Sequence, residues 1–139
     1  MRVLAVDYGD ARTGLALSDE SATLAGQAWV LQAKSRTEAV GRITAEVNSR
    51  GVSVIVVGYP KNMDGSVGPR AEISEQIADM LRASCGAEVV LWDERMTTIS
   101  ANRILTEART FGKKRKKTVD AVAASLILEG YLAHRTRNT

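Results

Sequence analysis

Val52-Ser53-Val54-Ile55-Val56-Val57, running directly into Gly58-Tyr59-Pro60, decides how this chain is organised. All but Ser53 of the six are β-branched, and such side chains pack well on a pleated surface. Near-continuous apolar character predicts a strand buried on both faces, as in parallel sheets covered by helices. The flanks agree. Upstream, Ser35 and Glu38 form a capping box, Val40, Ile43 and Val47 recur at helical spacing to about Arg50, and Gly51 is the stop. Downstream, Pro60, Asn62, Asp64-Gly65 and Gly68 mark a loop. Pro69 then opens a helix with the stripe Ile73, Ile77, Met80 and Leu81, ended by Gly86.

Farther out, Val3 to Asp7 and Thr13 to Ser18 read as a hairpin around the turn Tyr8-Gly9-Asp10-Ala11-Arg12. Ala28 to Leu31 adds a weaker strand, and Val89 to Trp92 a fifth. Thr97 or Thr98 caps a helix carrying Ile99, Ile104, Leu105 and Ala108. A last helix, capped by Thr118, carries Val119, Val122, Ala123, Leu126 and Ile127. The order β-β-β-α-β-α-β-α-α predicts a mixed five-stranded sheet with helices on both faces. It fits one domain over residues 1–139, with a basic tail from about residue 134.

Composition narrows the function. The 139 residues are 45% hydrophobic and 25% charged, which suits a globular chain and excludes a disordered one. The single cysteine, Cys85, excludes an internal disulfide. It reads as inert, because the only histidine, His134, is a poor base so near the C-terminus. No stretch is apolar enough to span a bilayer and no signal peptide opens the chain, so a cytoplasmic location is expected. The net charge is only +3, but Lys113, Lys114, Arg115, Lys116 and Lys117 form an unbroken run, with Arg135 and Arg137 beyond it. Such a run is either a solvated loop or a segment that contacts phosphates. Aromatics are 4% of the chain, so base stacking is not advertised.

Sites in open α/β sheets form beyond the carboxyl ends of parallel strands. Three segments follow strand ends: Asp7-Tyr8-Gly9, Gly58-Tyr59-Pro60 and Asp93-Glu94-Arg95. Each acid has an ordinary role available. Asp7 can form a turn with Arg12 neutralising it. Asp93 and Glu94 can precede a helix, and alternation does not decide between them once the strand has ended. Asp120, in the first turn of the last helix, can favour the dipole. Together, however, carboxylates from three elements near one sheet edge repel each other unless a cation fills the gap. Oxygen-only ligands suit Mg2+ or Mn2+, and no Cys/His cluster speaks for zinc. Two such ions can clamp the attacking and leaving oxygens of a phosphodiester cleavage.

Four motifs in order now carry a resemblance. They are Asp7-x-Gly9-x-x-Arg12-x-Gly14-x-Ala16; Gly58-Tyr59-Pro60-Lys61-Asn62-Met63-Asp64-Gly65; Trp92-Asp93-Glu94-Arg95-Met96-Thr97-Thr98; and Lys117-x-x-Asp120 with Ala123-Ala124. From Met1 to about Tyr131 the chain resembles the YqgF (RuvX) family, departing at Tyr59, where the family usually has Leu. The resemblance implies an RNase H-like fold related to Holliday-junction resolvases. It implies a cytoplasmic nuclease maturing the 5′ end of pre-16S ribosomal RNA, with pre-ribosomal particles as partners. It matches Asp7, Glu94 and Asp120 to the family's acidic triad, which favours Glu94 over Asp93 as metal ligand. Arg12, Lys61, Arg95 and the run Lys113, Lys114, Arg115, Lys116 and Lys117 are then candidates to contact nucleic acid, RNA ahead of DNA. The alternatives are a DNA junction resolvase, which needs a dimer for which no stripe is evident, and a non-catalytic RNA-binding assembly factor. A nucleotide-binding domain of the actin and sugar-kinase type would need a second such domain. Asp64 is left without a role, and the oligomeric state is open.

Overall fold

The computed structural model describes residues 1–23, 25–94 and 115–137, with side chains in the last segment described from 121 to 135. The strands are β1 (Arg2–Asp7), β2 (Arg12–Ser18), β3 (Ala25–Gln32), β4 (Val52–Tyr59) and β5 (Glu88–Asp93). The helices are α1 (Arg36–Arg50), α2 (Pro69–Ser84) and α3 (Arg115–Arg137). The five strands form one sheet in the order β3-β2-β1-β4-β5. The hairpins β1–β2 and β2–β3 are antiparallel, and β1–β4 and β4–β5 are parallel. The expected mixed sheet is therefore present.

Alternation along the strands builds two cores. Leu4 and Val6 of β1 and Ile55 and Val57 of β4 face α1 and α2, where they meet Val40, Ile43, Ile77 and Leu81. Val3 and Ala5 of β1 and Val54 and Val56 of β4 face the other way, against Ala124, Ile127, Leu128 and Leu132 of α3. Trp92 of β5 belongs to this second core, with the rings of Tyr131 and His134 edge-on at 6.1 Å and 5.5 Å. The only histidine is thus packed edgewise on a tryptophan.

Local signals behave as their chemistry requires. The Ser35 hydroxyl accepts the Glu38 amide at 3.1 Å, and the Glu38 carboxylate reaches back to the Lys34 amide at 3.0 Å, one residue earlier than in the usual box. Gly51 closes α1 at φ 65°, its amide bonded to the Val47 carbonyl.

Four expectations need correction. β3 begins at Ala25, well before Ala28, because its pairing with β2 extends to Ser18 across a register shift. α2 ends at Ser84 with Cys85 as cap, so Gly86 is not its stop. α3 begins at Arg115, so Thr118 is not its cap and Asp120 lies past its first turn. Arg and Lys are good helix formers, and here they extend the helix past the threonine. The expected basic tail is helical through Arg137. The helix expected after Thr97 or Thr98, together with Arg95, Lys113 and Lys114, lies outside the described residues.

One helix offers a pair of substitutions with opposite signs. An added Cβ meets nothing within 4 Å at either Gly41 or Gly51. Gly41 is inside α1, so Gly41→Ala should stabilise by about 0.5–1 kcal/mol. Gly51 needs its left-handed backbone, so Gly51→Ala should cost about 1–2 kcal/mol. Urea unfolding midpoints of the two variants should move in opposite directions.

Candidate active site

β1, β4 and β5 are parallel, so Asp7, Gly58-Tyr59 and Asp93-Glu94 arrive at the same edge of the sheet. From β1 the chain continues into β2 on one side, while β4 pairs on the other. A crevice opens where connections diverge like this. Here it is a cleft of about 90 Å3, lined by Asp7, Tyr8, Gly9, Asp10, Gly58, Pro60, Arg70, Ile73, Ser74 and Glu94. That is room for several water-sized bodies.

The tight β1–β2 turn depends on Gly9, where a Cβ would sit 2.5 Å from the Arg12 carbonyl oxygen. Beyond it, the Tyr8 hydroxyl donates to Asp10 at 3.1 Å, and Asp10 lies 4.0 Å from Arg36 at the start of α1. Arg36 also donates to Gln76 of α2 at 2.8 Å. The turn that follows Asp7 is in this way tied to both helices beneath the sheet.

Glu94 is set by what is missing at Gly58. A Cβ there would lie 3.2 Å from the Glu94 carboxyl and 2.7 Å from Cδ1 of Ile127. The side chain therefore turns over the end of β4, on the face that carries Trp92 and α3. Burial holds the Glu94 carboxyl above the usual carboxylate range; Arg70 opposes this, and the like charge of Asp93 adds to it. Asp93 is half-buried and does not line the cleft.

The neighbouring loop is closed from within. Asn62 and Ser66 bond backbone to backbone at 3.0 Å, and Asp64 accepts from the Ser66 amide at 2.9 Å and hydroxyl at 2.6 Å. Asp64 thus has a structural role that the sequence left open. The Tyr59 hydroxyl donates to Glu75 of α2, which accounts for a tyrosine at this position. The Lys61 ammonium lies 5.3 Å from the Tyr59 ring centre.

Of the residues singled out from the sequence, Asp7 and Glu94 meet in the cleft. Arg12 and Lys61 lie outside its lining. Arg115, Lys116 and Lys117 are in the first turn of α3, and Asp120 is within that helix, its side chain outside the described ones. Among the described residues no three His, Cys, Asp or Glu side chains gather as a metal site. Arg70, which the sequence reading passed over, lines the cleft. Its only signal in the sequence was its place after Pro69 at a helix start.

The cleft supports two predictions. Gly58→Ala should displace Glu94 and crowd Ile127, which is 1% exposed and has little room to move, costing about 1–3 kcal/mol. The urea unfolding midpoint of the variant checks this cost. The second concerns pH. A native carboxyl with a raised pKa keeps its proton after the unfolded chain has lost it, so stability falls as pH rises from the ordinary glutamate value through the folded one. In EDTA, Glu94→Gln should therefore be more stable than wild type at about pH 7, with the gap closing towards about pH 4. Thermal midpoints across pH check this.

The family described as "RuvX: Holliday junction resolvase" matches residues 1–134. A protein of Halothermothrix orenii, named "Putative pre-16S rRNA nuclease", is 44% identical over 137 residues, covering 99% of this chain and 98% of its own. One of Bacillus cytotoxicus with the same name is 42% identical over 134 residues, covering 95% and 98%. Among solved structures, Thermus thermophilus RuvC in complex with a Holliday junction superposes with a TM-score of 0.62 at 14% identity, covering 98% of this chain and 96% of that one. The fowlpox virus resolvase with its junction DNA gives 0.57 at 12%, covering 97% and 99%. At such identities the likeness is one of fold, and that fold is RNase H-like.

Proposed function

The chain belongs to the RuvX family, and from that premise we propose that it is a metal-dependent nuclease that cleaves phosphodiesters in structured RNA, at the 5′ end of pre-16S rRNA. The observation that carries this reading is the meeting of Asp7 and Glu94 in one cleft at the carboxyl edge of the sheet. The relatives' name favours RNA; the junction-bound fold neighbours keep a DNA junction as the second reading.

The residues present fit Mg2+ or Mn2+. Their donors are hard carboxylate oxygens, and Glu94 is a carboxyl whose ionisation burial opposes. A divalent cation offsets that cost. Asp7 and Glu94 would hold it, with Asp120 as third ligand. Support for Asp120 comes from the path of α3. Ile127 sits at Gly58 near the carboxyl edge, while Arg135 reaches Met1 at the other end of β1. The amino-terminal half of α3 thus lies towards the cleft, and position 120 shares a helical stripe with buried Ala124 and Ile127.

Divalent cations, two in this reading, supply charge stabilisation at the phosphate oxygens. The protein's part is positioning. Asp7 is fixed on a strand inside the sheet, and Glu94 is wedged against Gly58. Arg115, Lys116 and Lys117 stand in the first turn of α3, where cations oppose the helix dipole. Contact with phosphates gives cations at this end of the helix a role that the dipole does not.

Purified protein should cut a pre-16S 5′-leader RNA with Mn2+ and lose all cleavage in EDTA. Asp7→Asn, Glu94→Gln and Asp120→Asn should each slow cleavage by about 10²-fold or more while leaving RNA binding nearly intact. Activity on four-way DNA junctions alone would favour the resolvase reading; cleavage in EDTA would remove the metal mechanism. Full activity in Asp120→Asn would remove Asp120 from the site.

A further inference from the structure

The charge of the cleft poses a problem for any phosphodiester substrate. Asp7, Asp10 and Glu94 all line it, and phosphate brings more negative charge. Among its described lining residues one is cationic, Arg70. Arg70 is exposed at the start of α2, and its field is felt at Glu94. Yet its guanidinium takes part in no ion pair within 4.0 Å among the described residues. Arg2, Arg36, Arg42, Arg50 and Arg82 each have a carboxylate partner within that distance. Arg70 alone of these six keeps its fork of donors unspent, and it does so at the mouth of an acidic cleft. A guanidinium fork matches phosphate oxygens in pairs.

We propose that Arg70 grips a backbone phosphate of the substrate strand adjoining the bond held at Asp7 and Glu94. It sets the register of the strand in the cleft and offsets the repulsion from the carboxylates. This assignment rests on the nuclease reading above and adds a substrate-contacting residue to it.

The test uses the full chain with Mn2+ on the pre-16S leader RNA and a four-way DNA junction, the cut site being mapped first with wild type. Arg70→Ala should slow single-turnover cleavage by about tenfold or more, the value of a charge-assisted hydrogen bond, and Arg70→Lys should recover part of it. Single methylphosphonates, each beside a 2′-deoxy sugar, are then placed at phosphates flanking the cut. At one position the neutral phosphate should slow wild type but leave Arg70→Ala no slower than before. Unchanged cleavage in Arg70→Ala overturns the assignment. So do additive losses at every methylphosphonate position. If wild type cuts neither substrate, the nuclease reading fails first and takes this assignment with it; cleavage by wild type with no coupling at Arg70 sinks the assignment alone.

Discussion

At Gly58 a strand inside the sheet gives up its side chain, and two other groups use the space. The Glu94 carboxyl comes from the end of β5 and the Ile127 methyl from α3. A Cβ would collide with the methyl and crowd the carboxyl. An ionisable carboxyl is thereby packed against the apolar core under α3. The arrangement fixes the carboxylate with little freedom, and it does so by holding it where ionisation is costly. Such a placement costs stability, as it often does where a protein prepares a site in advance.

The parallel pairing of β1 with β4 and of β4 with β5 supplies the rest. It brings residues 7, 58 and 94 to one edge although they are far apart in the chain. The cleft is a consequence of connectivity, because β1 turns one way into β2 while the helical crossovers build β4 and β5 on its other side. No single segment contains the site.

Much of this was legible before any coordinates. Val52 to Val57 could be little else than a buried strand, and Ser35 with Glu38, Gly51 and Pro69 are helix boundaries with short-range causes. What could not be read was decided at longer range. β3 is longer than its weak pattern because β2 supplies partners as far back as Ala25. Thr118 looks like a cap, but the helix continues through the basic residues before it. The choice between Asp93 and Glu94 was open because the alternation of a strand stops informing at its last residue. The packing at Gly58 now shows where Glu94 goes. Arg70 was invisible as a cleft residue for a simpler reason: a cation on an exposed first turn looks like any other until the fold puts it in the lining that also holds Asp7.

The docking of α3 also has a consequence for how the chain comes into being. The face formed by Val3, Ala5, Ala16, Val54 and Val56 is covered by Ala124, Ile127, Leu128 and Leu132. On a ribosome these covering residues emerge after every strand has been made. Until then these apolar residues lack the helix that covers them, and the seat of Glu94 lacks its Ile127 wall. The nascent chain must pass through a sticky, unfinished stage in which chaperones have something to hold. The same delay means that the cleft acquires its final shape only once α3 has docked, so its completion waits on contacts between distant parts of the chain.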